Sequence, residues 1–307
     1  MSNFKRPINI QLLTVTTLLM ILGTGCNSCQ TKQTANPDHL KRLLATKQCR
    51  KCYLGDADLR NTDLMGADLS QAQLVNANLD RANLAGADLS QAQLSWDDYN
   101  EGLGGSFTFS CDVMLEASLV KANLTKAKLT NAMLDRVNLE QANLSGANLT
   151  NATLLDANLR GANLEEANLS NAYLAVADFG KSEQQVSTNL RKASLSGAYL
   201  SRSKLNETNL SHANLRGADL YSAELVNANL SGANLESVQL ADANLNKANL
   251  NSATLIKTDL SWADLREANL REIVYNNETV WSEAIYNEYT KFPSGFDPVS
   301  KGMIFQP

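Results

Sequence analysis

Histidine is almost missing from this sequence: its 307 residues contain two, His39 and His212. They stand far apart in the chain, and no base, nucleophile or ligand cluster gathers around either. The constellations on which acid–base, nucleophilic and metal-assisted chemistry rest are therefore not in view. Aromatic residues are also sparse, at 6%, so the core must be filled by other side chains. A basic excess is missing too. Lys and Arg number 27 against 32 Asp and Glu, a net charge of −5, which argues against nucleic acid as a partner. The apolar run near the start, Leu12 to Leu22, is 11 residues long and too short to span a bilayer comfortably.

What the sequence has instead is a leucine returning every fifth residue, in three blocks between Leu54 and Leu270. The series runs from Leu54 to Leu94, from Leu119 to Leu174 with Phe179 in the next leucine position, and from Leu190 to Leu270. A small residue sits two places before each. Of 39 pentapeptides, 31 have Ala there, and the others have Cys52, Thr62, Val137, Thr188, Ser203, Thr208, Val238 or Thr258. That position therefore has a volume limit. A period of five suits neither ordinary element. In an α-helix successive leucines would fall ~140° apart, and in a strand they would alternate faces. The chain must turn once per pentapeptide to bring each Leu to one axis, which makes a solenoid with a shared core. The remaining three positions carry Asn, Asp, Ser, Gly and charged residues. These suit a solvated wall with frequent turns.

The repeat, as in Asp56-Ala57-Asp58-Leu59-Arg60 and Asn76-Ala77-Asn78-Leu79-Asp80, resembles the pentapeptide-repeat family, whose motif is A-(D/N)-L-x-x. The resemblance covers over two thirds of the chain. It implies an all-β fold, a right-handed quadrilateral β-helix with four pentapeptides per coil. That gives about ten coils and, at ~4.8 Å per strand spacing, a length on the order of 50 Å. The lead-in ending at Leu54 (LLATKQCRKCYL) looks like those of cyanobacterial members, and the segment from Tyr286 to Pro298 resembles an end-piece common in such proteins.

Both ends of a solenoid need covers. At the first, Asn36 is a helix N-cap, Pro37 suits the first turn and Asp38 the positive end. Leu40, Leu43 and Leu44 are then expected on one face, over the first coil. After Leu270, Ile273 still holds a small position and the pattern stops. Val280, Trp281, Ile285, Tyr286, Tyr289, Phe292 and Phe296 follow and read as an aromatic cap, or as a recognition patch. The expected organisation is a signal peptide at 1–25, a polar tether at 26–36, a capping helix and lead-in at 37–51, the β-helix at 52–274 and the C-terminal cap at 275–307.

Two stretches interrupt the repeat. Residues 95–114 equal one coil in length, so they are either a degenerate coil or a loop, and Gly102, Gly104 and Gly105 favour a hairpin-like excursion. Within them Trp96, Asp97, Asp98 and Tyr99 make a distinctive candidate partner surface, or a solvated loop. Residues 180–189 shift the register by one and read as a bulged loop at a corner.

Lys5 and Arg6 precede the apolar run, and Gly23, Thr24 and Gly25 lead to Cys26. This looks like a bacterial lipoprotein signal with Cys26 lipidated, although Gly23 stands where a Leu is usual. Plain secretory cleavage, or an uncleaved start, are the alternatives. An exported compartment, periplasm or thylakoid lumen, favours a Cys49–Cys52 disulfide. The alternatives are reduced thiols, or a zinc site with Cys26 and Cys29. The functional expectation is a non-enzymatic exported scaffold or protein-interaction module without cofactor or metal. Its protein partner is unidentified, and it meets the membrane only through Cys26. The alternative is a cytosolic mimic of DNA that binds a topoisomerase such as gyrase. Asp178-Phe179-Gly180 and Gly180-Lys181-Ser182 match kinase and P-loop fragments only as by-products of the repeat.

Overall fold

The computed structural model describes residues 34–95 and 116–307, all within one compact unit. The signal segment, Cys26, Cys29, Cys111 and the cluster Trp96, Asp97, Asp98 and Tyr99 lie outside the described residues.

The architecture follows from where five backbone N–H groups go in each pentapeptide. In Ala142–Gly146, Ala142 donates to Leu139 O (3.0 Å), closing a turn. Asn143 donates back one coil to Ala122 O (2.9 Å), and Leu144 forward one coil to Asn163 O (2.7 Å). Gly146 also donates forward, to Glu165 O (2.9 Å). The N–H of Ser145 is taken by the Asn143 side chain, at 3.2 Å. The Asn or Asp before each Leu therefore caps the turn that follows it. The fifth residue of most repeats is left-handed, as at Asn151 (φ 56°) and Asp156 (φ 55°).

Parallel bridges join each residue before a Leu to its counterpart one coil on, as in Asp58 with Asn78 and Asn143 with Asn163. Four such columns run along the stack. Face 1 passes through Asp58, Asn78 and Asn138, face 2 through Asp63, Asn83 and Asn143, face 3 through Asp68, Asp88 and Asn148, and face 4 through Tyr53, Gln73, Met133 and Thr153. Leu and Ala positions both point inward and, apart from the half-buried Thr62, are buried. Full burial of a Leu side chain contributes about 1.5–3 kcal/mol. Threonines in the small position bring their own donors: Thr208 donates to Phe179 O (3.0 Å) and Thr258 to Leu235 O (2.6 Å).

At the first interruption the stack has no gap. Asn78 bridges to Ser118 and Gln93 to Met133, and Ala117 donates to Leu94 O (3.0 Å), the bond that elsewhere joins residues three apart. The coil ending at Leu94 is thus followed directly by the one beginning at Ala117, and no coil lies between them. At the second, Asn163 bridges to Asn189, 26 residues on rather than 20. The excursion is six residues, one pentapeptide plus the one-residue shift of register. It closes on buried Ser182, whose N–H donates to Val186 O (2.9 Å). Gly161 faces it at φ 66°, where a Cβ would lie 2.9 Å from Ser182 Cβ.

Helix α1 (Pro37–Thr46) stands at the entrance. Asn36 accepts from the N–H groups of Asp38 and His39, at 2.9 and 3.2 Å. Leu43 is buried and Leu40 partly so, but Leu44 is 56% exposed. The three leucines therefore do not share the covered face, because Leu44 lies about 100° round the helix from the buried Leu43. Cys49 occupies a leucine position and Cys52 the next small position, and a disulfide joins them across the corner. Arg42 donates to Cys52 Sγ (2.8 Å).

The backbone pattern does not stop at Leu270. Val280, β1 (Ile285–Tyr286) and Lys291 bridge to Asp259, Asp264 and Asn269, and β1 pairs in parallel with β2 (Ile304–Phe305). One further coil therefore follows, with Trp281, Tyr286 and Phe292 where leucines had been. Trp281, Tyr275 and Phe296 pack edge to face, and Phe292 stacks on Phe296 at 4.8 Å. Spacings of 21 and 22 residues hide this coil from a search for period five.

Candidate interaction face

The four faces share one backbone and differ in what they show to solvent. Face 2 has Asp or Asn at every bridge position from Asp63 to Asn269. The Nδ2 of Asn83 donates to Asp63 (3.0 Å) and that of Asn123 to Asn83 (3.1 Å). From Asn163 to Asn269 each Asn donates in the same way to the one a coil earlier, as in Asn209 to Asn189 (3.2 Å). These amides serve each other and the turns.

Face 4 departs from that rule. Its bridge positions include Tyr53, Met133, Thr153, Tyr173 and Tyr199. Asp135, from the corner one coil earlier, supplies the missing turn cap by accepting the Leu155 N–H (2.8 Å). Tyr173 and Tyr199 stack at 4.8 Å with a 9° interplanar angle, and are 50% and 46% exposed. Tyr221 is one coil further, Val176 lies beside Tyr173, and Trp262 is 58% exposed at the same edge. Among the described residues from Cys52 to Leu270, the large exposed hydrophobic side chains are those on this face together with Met65 and Val186. Val176 and Trp262 also hold left-handed backbone (φ 62° and 63°), a conformation costly for a β-branched or bulky residue. Elsewhere these fifth positions hold Asn, Gly, Lys and similar residues.

Charge separates the faces as well. In the coils, face 1 has eight acids and eight bases, and face 2 four of each. Face 3 has five bases to three acids, outside the capping residue Lys47. On face 4, Glu116 pairs with Arg136 at 2.8 Å. The other charges of the face are Asp56, Asp135, Asp156, Asp219, Asp242 and Asp259 with Arg202, a net negative balance.

His39 lies in α1, where its Nδ1 accepts the Tyr53 N–H (3.1 Å) and its ring stacks on Tyr53 at 5.9 Å. His212 is at a corner of face 2, so the structure does not bring the two histidines together. Among the described residues no group of three or more His, Cys, Asp or Glu is placed to hold a metal ion. A shallow depression of about 440 Å³ beside Asp264 and Arg266 is open and polar. Its charges are already paired in a two-bond Asp264–Arg266 contact (2.9 and 2.6 Å). Cys49 and Cys52 are bonded to each other. The sequence did not single out Tyr173, Tyr199 or Tyr221. The available signal was Tyr in place of Asn or Asp directly before Leu174 and Leu200, with Tyr221 directly after Leu220 one coil on.

The coil defines a class, the four-sided parallel β-solenoid. The chain belongs to the pentapeptide-repeat family. The family model, "Pentapeptide repeats", matches residues 48–81, 63–96, 114–141, 142–180, 193–232 and 233–271. Proteins of this family are in general structural or interaction modules. Among solved structures the chain is similar to HetL, a pentapeptide repeat protein involved in heterocyst differentiation regulation in the cyanobacterium Nostoc sp. strain PCC 7120. Identity is 30%, over 82% of this chain and 97% of that one, with a TM-score of 0.43. It is also similar to QnrB1, a plasmid-mediated fluoroquinolone resistance protein (16%, 71% and 88%, TM-score 0.33). A third is a pentapeptide repeat protein of the Arabidopsis thaliana thylakoid lumen (24%, 43% and 68%, TM-score 0.26). No curated protein matches the chain significantly.

Proposed function

We propose that this chain is a non-enzymatic, right-handed β-helical interaction module, exported and tethered through a lipidated Cys26, that holds a protein partner on face 4. The observation that carries the reading is the exposed Tyr173–Tyr199 pair, stacked on a face where large exposed hydrophobic side chains gather. Tyrosine supplies large contact area at small entropic cost and is enriched at protein interfaces. The candidate surface Trp96, Asp97, Asp98 and Tyr99 extends the reading, because its flanking residues Ser95 and Glu116 stand at the corner that follows face 4. The bonded Cys49 and Cys52 suit an oxidising compartment.

The test is in two parts. Intact mass of the chain from native membrane and soluble fractions should give a mature protein starting at Cys26 with added acyl mass. An unmodified full-length chain in the cytosol would overturn the localisation. A photo-crosslinking residue at Tyr221 should capture a discrete protein in cells, whereas one at Ser231 on face 2 should not. Equal capture at both positions, or none, would overturn the module. The alternative, a topoisomerase-binding DNA mimic, requires a continuously acidic surface, and the balanced charges of faces 1 and 2 do not favour it. Excess chain is expected to leave gyrase supercoiling unchanged.

A further inference from the structure

We infer that face 4 receives an extended, basic polypeptide segment, one rich in Lys or Arg, laid along the coil axis. The inference rests on the interaction-module reading and specifies its partner. Two features of the face point to the same chemistry. The first is aromatic. Tyr173, Tyr199 and Tyr221 occupy three successive coils with Met133 and Thr153 just before them. Their side chains stand outward, and an ammonium or guanidinium near a tyrosine ring is attracted by the ring's quadrupole. The second is electrostatic. Asp156, Asp219 and Asp242 flank these rings, Asp156 and Asp242 being exposed, and Arg202 is the base in their midst.

Charge complementarity of this kind sets partner choice and orientation. An acidic or phosphorylated segment would meet repulsion on face 4, and a neutral one would leave the negative charge of the face uncompensated. The run from Met133 to Tyr221 crosses five coils, or about 20 Å at ~4.8 Å per step, which matches roughly six residues of extended chain at ~3.3 Å each. Uniform coil spacing gives the face a straight track, so an extended segment fits it better than a folded domain with a curved surface.

The probe is a fluorescein-labelled ten-residue peptide of alternating Lys and Tyr, with its Glu and Tyr counterpart as control, titrated by anisotropy against the full chain. The Lys peptide should bind, and the Glu peptide should not. Affinity should fall as salt rises, because the contacts are surface charges. D156N/D219N/D242N, which keeps the turn-capping oxygens, should weaken binding at least tenfold, and Y173S/Y199S likewise. E165Q/E166Q removes two carboxylates from face 2 and should change affinity by less than twofold. Failure of the wild-type chain to bind the Lys peptide would overturn the inference. So would equal weakening in the face 2 control, which indicates attraction to net charge alone. Mass spectrometry of the segment crosslinked to position 221 separates this inference from the module reading. A captured acidic or neutral segment would remove the basic partner and leave the module standing.

Discussion

Faces 2 and 4 are built on the same backbone, and they spend the same position differently. On face 2 the residue before each Leu is Asp or Asn, and its side chain caps the next turn and bonds along the column, as Asn209 does with Ser211, Asn189 and Asn229. On face 4 that residue is often Tyr, Gln, Met or Thr. A cap can then come from elsewhere, as from Asp135 to Leu155 N–H. The difference teaches that the Asn column is how this coil satisfies its backbone when nothing else is asked of the wall. A column that gives up the Asn has been released for contact with something outside. The core beneath is the same in both cases, so a test of the comparison begins there.

The largest effects should come from inward positions, and should not depend on the face. Leu149→Ala should cost about 2–5 kcal/mol through the cavity it leaves. Ala147→Leu should cost about 1–3 kcal/mol by overpacking a position where Cβ already fills the space. Both residues are fully buried. Denaturant unfolding measures each, and neutral outcomes would mean that the inward positions are wrongly assigned.

A reciprocal swap breaks the comparison directly. Asn209→Tyr on face 2 removes the acceptor of the Ser211 N–H and two column bonds. The expected loss is about 1.5–4.5 kcal/mol, since each of the three net hydrogen bonds contributes roughly 0.5–1.5 kcal/mol. Tyr199→Asn on face 4 gives Ser201 N–H a local cap and loses the stack on Tyr173, itself worth about 0.5–1.5 kcal/mol. The two terms oppose, so stability should stay within about 1 kcal/mol. A large loss at Tyr199 would mean that the tyrosines hold the coil together, and would remove the case for a free interaction face.

Much of this was legible from the period alone. Five-residue spacing with a volume-limited position forces the inward Leu and Ala, and these are the buried residues. The length of 95–114 could not separate a coil from an excursion, because twenty residues preserve the register either way. The bridges from Asn78 to Ser118 and Gln93 to Met133, with the bond from Ala117 to Leu94, show that the described coils on either side stack directly on each other. The last coil was hidden because Trp281, Tyr286 and Phe292 replace leucine at altered spacing. Face 4 was hidden for a different reason. Its tyrosines are about twenty residues apart in the chain and become neighbours only when four pentapeptides are known to make a coil.

The smallest predicted effect concerns the head of the face 2 column, where the pattern begins with Asp63 rather than Asn. A side-chain bond from Lys47 Nζ (2.9 Å), then the Met65 N–H, holds its carboxyl below the usual aspartate range. Asn83 adds a further bond. A folded-state pKa below the unfolded one means that Asp63 binds its proton less readily when folded. Its contribution to stability is therefore complete above the unfolded value of about 3.9 and is lost as pH falls through the depressed folded value. Lys47→Gln should move the Asp63 midpoint back up, read by NMR titration of the carboxyl carbon, and should flatten the stability profile below pH ~4. Both groups are exposed, so the shift should also shrink in high salt. An unmoved midpoint would show that the neutral bonds of the column suffice to hold its first member. The charge at Asp63 would then be incidental, and the ladder would be the same device from its first coil to its last.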